Sequence, residues 1–403
     1  MKKSVFLLLI LLTQFPFSAQ ITFSADKNTA ADFIRENVRF AVQQYDNQIN
    51  LIEKSEKILN PKTYIKGKIV YIPNDEWTSG FFSGSLWKLY ELTGDKKWKM
   101  QAIKYTEALD SVQYLTDHHD IGFMIGSSFG NAYTMTANDA YRKVIIQAAK
   151  SLSTRFRPVA GVIQSWNVKG NWKEKKGWQC PVIIDNMMNL ELLFRATSLS
   201  GDSSFYRIAV SHADQTMKNH FRPDNSCWHV VDYSLTDGSV RHRQTAQGYS
   251  DESAWARGQA WAIYGYTMCY RETGNRKYLD QAEQTFEFVA HHPNFPKDGV
   301  PYWDFDAPKI PRECRDASSA AIIASALYEL STYDKPEYYQ GWADRIMKSL
   351  AGKKYRAKPG KNGNFLLMHS VGSIPHKSEV DVPLNYADYY FLEALKRKME
   401  LEE

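Results

Sequence analysis

The sequence predicts an all-α protein built from about six helical hairpins, and three observations carry that reading. Apolar residues recur at three-to-four spacing through most of the chain, the period of a helix face rather than of a strand. A short joint containing Gly followed by Asp or Asn returns between the helical stretches. The 403 residues allow about 64 per hairpin once a leader is set aside, a period typical of helical repeat architectures.

The chain opens with MKKSVFLLLILLTQFPFSAQ, in which Lys2 and Lys3 precede an apolar run from Val5 to Leu12 and small residues at Ser18 and Ala19. Such a run is far shorter than the ~20 residues that span a bilayer, so residues 1–19 read as a signal peptide. One domain is expected over 20–403, exported to the periplasm or secreted, with no membrane span. Ala30 to Leu59 reads as a helix through Phe33, Val38, Ala41, Ile49 and Ile52, and Trp98 to Leu109 as another. Extended pieces are expected only at Lys68 to Ile72 and Cys227 to Tyr233. Clear joints fall at Thr93-Gly94-Asp95, Ser200-Gly201-Asp202 and Thr273-Gly274-Asn275, with weaker ones at Asn138-Asp139 and Tyr333-Asp334. Gly ends one helix in the left-handed conformation, and Asp or Asn caps the next. A closed toroid and an open solenoid carry the same joints, so the repeats leave closure open.

Trp 11, Tyr 24 and Phe 20 exclude disordered, collagen-like and coiled-coil chains, which are poor in large aromatics. The formal charge of +5 includes Lys2 and Lys3 and gives no concentrated basic face, so no nucleic-acid partner is expected. Nothing in the sequence fixes an oligomeric state. Cys180, Cys227, Cys269 and Cys314 are widely spaced and read as buried free thiols, with three disulfide pairings as the alternative. Neither CxxC nor HExxH occurs, so no metal is expected.

Five clusters carry candidate chemistry. Glu76 to Trp87 sets two glycines among four large aromatics, a poor composition for a core helix, which makes Trp77 a candidate ligand-facing residue. Thr116-Asp117-His118-His119-Asp120 combines carboxylates and imidazoles, either a solvated helix cap or a catalytic acid beside a tuning histidine. In Pro181 to Leu193, Asp185 and Asn189 interrupt an apolar run four residues apart, on one helix face. Burial raises the pKa of a carboxyl, as an acid working near neutral pH requires; a capping Asp is the alternative. Gln247 to Trp261 places Arg257 and Gln259 between Trp255 and Trp261, suited to sugar faces and a carboxylate, or else to an aromatic core. His369 to Lys377, a polar loop before the aromatic stretch Asn385 to Leu395, suits an anion or a solvated turn.

Taken in order, WTSGFF, GSLWKLYELTGD, HDIGFM, SFGNAY, IIDNMMNLELL, SDESAWARGQAWAIYGY and YADYYFLEAL resemble the unsaturated glucuronyl hydrolases of glycoside hydrolase family 88. The resemblance implies an (α/α)6 barrel that removes a 4,5-unsaturated uronic acid from the non-reducing end of oligosaccharides made by polysaccharide lyases, from glycosaminoglycans or ulvan. It implies hydration of the C4=C5 enol ether, with a proton added at C4 and water at C5, and without metal or cofactor. Asp185 matches the family's acid/base aspartate and Asp120 its second essential aspartate. Substrate-contacting positions map to Trp77, His229, Thr245, Gln247, Trp255, Arg257, Trp261, Ser370 and Ser373. A family 105-like unsaturated rhamnogalacturonyl hydrolase and a non-catalytic exported glycan-binding protein are the alternatives.

Overall fold

The computed structural model describes residues 27–55 and 58–403; the predicted signal peptide lies outside the described residues. Among the described residues, fourteen α-helices and nine short strands follow one another. Twelve helical positions alternate between an outer and an inner ring. The outer helices are α1 (Lys27–Ile52), α3 (Lys96–Glu107), α6 (Asp139–Ser153), α9 (Ser203–Asn219), α11 (Arg276–His291) and α13 (Pro336–Leu350). The inner ring comprises α2 (Ser79–Thr93), a broken third element, α8 (Asn186–Ser200), α10 (Ala256–Thr273), α12 (Ala317–Leu330) and α14 (Asn385–Glu402). The broken element runs from α4 (Ile121–Ile125) through a π-helical turn at Gly126–Gly130 into α5 (Asn131–Thr136).

Closure is decided by the last inner helix. α14 packs against α12 on one side and α2 on the other, completing the circle α2, α4–α5, α8, α10, α12, α14. The architecture is therefore the (α/α)6 barrel. Inner helices are buried nearly all round, whereas outer helices bury one face. That difference explains why the outer segments give a cleaner helical period in the sequence.

The two ends of the barrel are unlike. Inner helices pass to the next outer helices through short joints. Gly94, Gly201 and Gly274 there adopt φ of 68°, 76° and 65°, and Asp95, Asn138, Asp202 and Asn275 accept a cap hydrogen bond at 2.9, 2.9, 2.8 and 3.3 Å. The joint at 334 differs from expectation: Lys335 stands at the cap position and Pro336 starts α13, so Asp334 caps nothing. Returns from outer to inner helices are long and hold all nine strands, far more extended structure than the sequence predicts. These strands are β1 (Asn60–Ile65), β2 (Lys68–Ile72), β3 (Phe156–Arg157), β4 (Val162–Ile163), β5 (Cys180–Ile183), β6 (Val230–Tyr233), β7 (Val240–Gln244), β8 (Ser370–Ser373) and β9 (Ser378–Val382). They form three antiparallel pairs, β1–β2, β3–β4 and β8–β9, and one antiparallel triplet, β5–β6–β7. β5 replaces the start of the helical run expected from Pro181, because Cys180 to Ile183 are buried on both faces and show no alternation.

The two glycines that marked Glu76 to Trp87 serve packing. A Cβ on Gly80 would meet the Met124 carbonyl oxygen at 2.2 Å, and one on Gly84 the Ser127 carbonyl oxygen at 2.7 Å. They let α2 lie directly on the α4 and π-helical backbone. The four cysteines are free, and Cys180, Cys227 and Cys269 are buried. No helix among the described residues is long and apolar enough to cross a membrane.

Gly80→Ala is expected to destabilise the protein by about 3 kcal/mol, because backbone must move. Gly94→Ala should cost only about 1 kcal/mol, since its added methyl meets nothing and only the positive φ is penalised. Thermal melts of the two variants check this order.

Candidate active site

Every inner helix begins at the end where the long returns emerge, so six helix N-termini converge on one mouth. Trp77, Asp120, Asp185 and Trp255 each lie just before an inner helix, as do Asp316 and, one residue inside, Tyr386. Aligned peptide dipoles make such a mouth electropositive and favourable to an anion.

Strand register places Asp185 against His229. In the β5–β6 pair Ile183 lies opposite Val230, and the pairing runs on as the Ile184 N–H donates to the His229 carbonyl at 3.0 Å. The next residue, Asp185, then turns its Oδ2 to 3.8 Å from His229 Nε2. It occupies the cap position of α8 but accepts no cap hydrogen bond through its side chain. The capping alternative therefore fails by geometry, and the carboxyl is left for the mouth. Asp120 likewise stands at the start of α4 without capping it.

Neighbours set the two carboxyls apart. Burial pushes Asp185 up to about 7, with Asp120 adding to the rise and Arg257 opposing it. Burial also works against ionised Asp120, but His119 and a hydrogen bond from His118 outweigh it and hold the carboxyl below its ordinary value. His118 Nδ1 lies 3.2 Å from one Asp120 oxygen and His119 Nε2 3.3 Å from the other. Burial lowers His119 to about 4, and burial with Arg257 drives His229 far below its ordinary value. Both imidazoles are therefore neutral at pH 7. His229 Nδ1 accepts from the Ala246 and Gln247 N–H groups at 3.1 and 3.2 Å, which assigns its proton to Nε2. Asp185 Oδ2 and His229 Nε2 are both buried without a protein hydrogen-bond partner. From α8 Asn189 braces the Asp120 side, accepting the Phe123 N–H at 2.8 Å with its amide nitrogen 3.4 Å from His119 Nδ1.

A cavity of about 350 Å³ opens at this mouth. Of the predicted contact residues, Trp77, Gln247, Arg257 and Ser373 line it. Thr245 lines an adjoining depression shared with Trp172 and His376. Trp255 lies beneath, its ring 4.4 Å from that of His229 and 4.6 Å from the Arg257 guanidinium. Trp261 is buried against Phe123 and Tyr390, and its indole also bears on Asp185. Ser370 is fully buried, its hydroxyl without a protein partner, and is not on the cavity wall. Asp120, Asp185 and His229 are not on that wall either. Asp185 communicates with it through the charge of Arg257, and His229 through the Gln247 N–H.

Sequence reading missed Lys62, Trp166, Trp172, Lys173, Ser378 and Glu379, which complete the wall together with Gly372, His376 and Tyr386 of the fifth cluster. One signal was available: Trp166, Trp172 and Trp178 crowd thirteen residues, and in the structure their rings meet at 5.6 to 6.3 Å. Such a platform presents apolar faces suited to sugar rings.

The model of glycosyl hydrolase family 88 matches residues 54–396. The chain belongs to that family. It is 49% identical over 331 residues to an unsaturated glucuronyl hydrolase of Formosa agariphila, covering 82% of each chain. It is 33% identical over 338 residues to an unsaturated chondroitin disaccharide hydrolase of Streptococcus pyogenes serotype M1, covering 80% of this chain and 81% of that one. A solved unsaturated glucuronyl hydrolase specific for heparin superposes with a TM-score of 0.87 at 45% identity, covering 92% of this chain and 98% of that chain. The protein is thus a glycosidase of family 88, and the reading as a non-catalytic binding protein falls.

Two measurements test the state of Asp185 in this family 88 enzyme. If Asp185 must be protonated, kcat/KM falls about tenfold per pH unit above about 7. Between the ordinary carboxyl value and about 7 the folded state keeps a proton that the unfolded chain has lost, so the group's contribution to stability declines as pH rises through that window. Asp185→Asn is therefore expected to melt a few degrees above the wild type at pH 7.5 and to match it near pH 4.

Proposed function

We propose that the protein removes a 4,5-unsaturated uronic acid from the non-reducing end of lyase-generated glycosaminoglycan or ulvan oligosaccharides by hydrating the C4=C5 enol ether. The observation that carries this reading is the pair of aspartates at one mouth, held in opposite protonation states by different neighbours. An enol-ether carbon is a weak base, and its protonation needs an acid that retains its proton near neutral pH. Asp185 supplies that proton to C4, and positive charge develops at C5 and the ring oxygen.

Ionised Asp120, fixed by His118 and His119, stabilises this charge. The Asp185 carboxylate then takes a proton from water as its oxygen bonds to C5. The product is a hemiketal that opens and expels the neighbouring sugar, so one water is consumed and both carboxyls return to their starting states. The substrate's own carboxylate suits Arg257 and the converging helix N-termini, while Trp77 and the Trp166–Trp172 platform suit the sugar faces.

Incubation with chondroitin, hyaluronan, heparin and ulvan lyase products should bleach the ultraviolet absorbance of the conjugated double bond for at least one of them. Loss with none of them sinks the proposal. Asp185→Asn and Asp120→Asn are each expected to lower kcat by about 10³-fold or more with the helical fold retained by circular dichroism, in line with removal of a positioned acid and of a charge made for the transition state.

We also propose export, supported by Lys2, Lys3 and the apolar run Val5 to Leu12. N-terminal sequencing of protein recovered outside the cytoplasm should begin near Gln20; retention of Met1 overturns it.

A further inference from the structure

Arg257 was expected to contact the substrate and lines the cavity, yet much of its donor capacity is used inside the protein. The side chain is 2% exposed. Its Nη2 donates to the Gly372 carbonyl at 2.6 Å, and its Nη1 to the Val371 carbonyl and to Asp316 Oδ2. The Arg257–Asp316 distance is 3.2 Å. Trp255 and Tyr386 lie 4.6 and 5.5 Å from the guanidinium.

Asp316 explains this arrangement. It stands at the cap of α12, fully buried and off the cavity wall. A cap requires one hydrogen bond, here the Ser318 N–H at 3.1 Å. The same carboxylate also accepts the Ser318 and Ser319 hydroxyls at 2.6 Å each, the Val371 N–H at 3.2 Å, and Arg257. Val371 therefore gives its N–H to Asp316 and its carbonyl to Arg257, which closes a ring between α10, α12 and β8. The Ala317 N–H fastens the residue before β8 by donating to the His369 carbonyl at 2.9 Å.

We propose that Asp316 is a positioning residue for the hydration reaction: it holds Arg257 against β8 and offsets the guanidinium's charge where that charge meets Asp185. The inference rests on Asp185 being the acid. The groups whose charge or hydrogen bonding acts on Asp185 are Arg257 from α10, Asp120 from the start of α4 and the Trp261 indole, with His229 beside β6 at 3.8 Å and the Cys227 thiol also within its field. Arg257 itself faces Asp316, Asp185, Glu379 and Tyr386. Without the Asp316 charge, the field of Arg257 on Asp185 is stronger and favours the ionised form.

The test is a double-mutant cycle in the full chain. Asp316→Asn is expected to move the alkaline limb of kcat/KM about half to one pH unit lower. The loss should be several-fold at pH 7.5 and much smaller a unit below the limb. Arg257→Gln moves the limb the other way, and adding Asp316→Asn to it should move the limb no further. Asp316→Glu restores the charge and returns the limb toward the wild-type position. A loss equal at every pH, or an equal shift in the Arg257→Gln background, overturns the proposal. Breaking one side of a buried ion pair can prevent folding. In that event the Arg257→Gln/Asp316→Asn protein, which loses both charges, carries the comparison with Arg257→Gln alone.

The infrared band of protonated Asp185, identified by its loss in Asp185→Asn, gives the same titration without turnover. If the wild type hydrates no unsaturated product, the proposed function fails while this band still decides Asp316. An Asp185 band whose midpoint is unmoved by Asp316→Asn overturns the inference even in an active enzyme.

Discussion

Closure of the inner ring is the constraint on which the rest of the molecule depends. Once α14 packs against both α12 and α2, six helices must point the same way, and all six N-termini share one mouth. The short joints then fall at the other end, where Gly and a capping Asp or Asn suffice. The long returns fall at the mouth, where there is room for strands. Those strands are the means of aiming side chains. β5–β6 pairing puts Asp185 beside His229, β6–β7 pairing brings the Ala246 and Gln247 N–H groups onto the same imidazole, and β8 supplies carbonyls to Arg257.

The mouth uses burial in two directions. Desolvation acts against the charged form of both aspartates, yet only Asp185 yields to it, because Asp120 has two imidazoles at 3.2 and 3.3 Å whereas Asp185 has one, His229, at 3.8 Å. The number of imidazoles and their distance separate an acid from an anion within one cluster. The helix dipoles reinforce the result: a mouth lined by N-termini tolerates Asp120 as an anion and also suits the carboxylate of a uronic acid. An aromatic wall around it keeps the effective dielectric low and makes these differences large.

Legibility in the sequence followed the range of the interaction concerned. The joints at Gly94, Gly201 and Gly274 were readable because a left-handed residue followed by a cap is a local event. Lys335 and Pro336 displaced the expected cap at Asp334 by another local rule, the preference for Pro at the first helical position. Closure was unreadable from the repeats because it depends on α14 meeting a helix about three hundred residues earlier. β5 was hidden because strands buried on both faces lose their alternation. Gly80 and Gly84 suggested a ligand-facing segment, whereas the backbone they accommodate belongs to α4 and the π-helical turn. At the site, the clusters holding Asp120, Asp185, Trp77, Trp255 and Trp261 were readable from their residues and the family's motifs assigned their roles, whereas Trp166 and Trp172 were missed. Asp316 lies outside those motifs, and its role comes from Val371 and Arg257, each more than fifty residues away.

The far end of the barrel shows what the mouth forgoes. There Arg271 holds Glu329, Glu191 and Glu272 at 2.8, 2.6 and 3.0 Å, while Glu393 accepts Tyr264 and Ser325 and lies beside Arg397. These partners tie α8, α10, α12 and α14 together, and each charge named has an opposite charge or hydrogen-bond donor. At the mouth, Asp185 and His229 keep polar atoms without protein partners, and Asp120 and Asp185 occupy cap positions without capping. Ordinary folding rules would satisfy all of these groups. Carboxyls left at helix starts without capping, around the proposed acid, set this part of the sequence, shaped by chemistry, apart from the ion-paired far end, shaped by packing. The Asp316 ring lies at the boundary. It is fully hydrogen-bonded as packing requires, and it is aimed at an arginine whose charge reaches the acid.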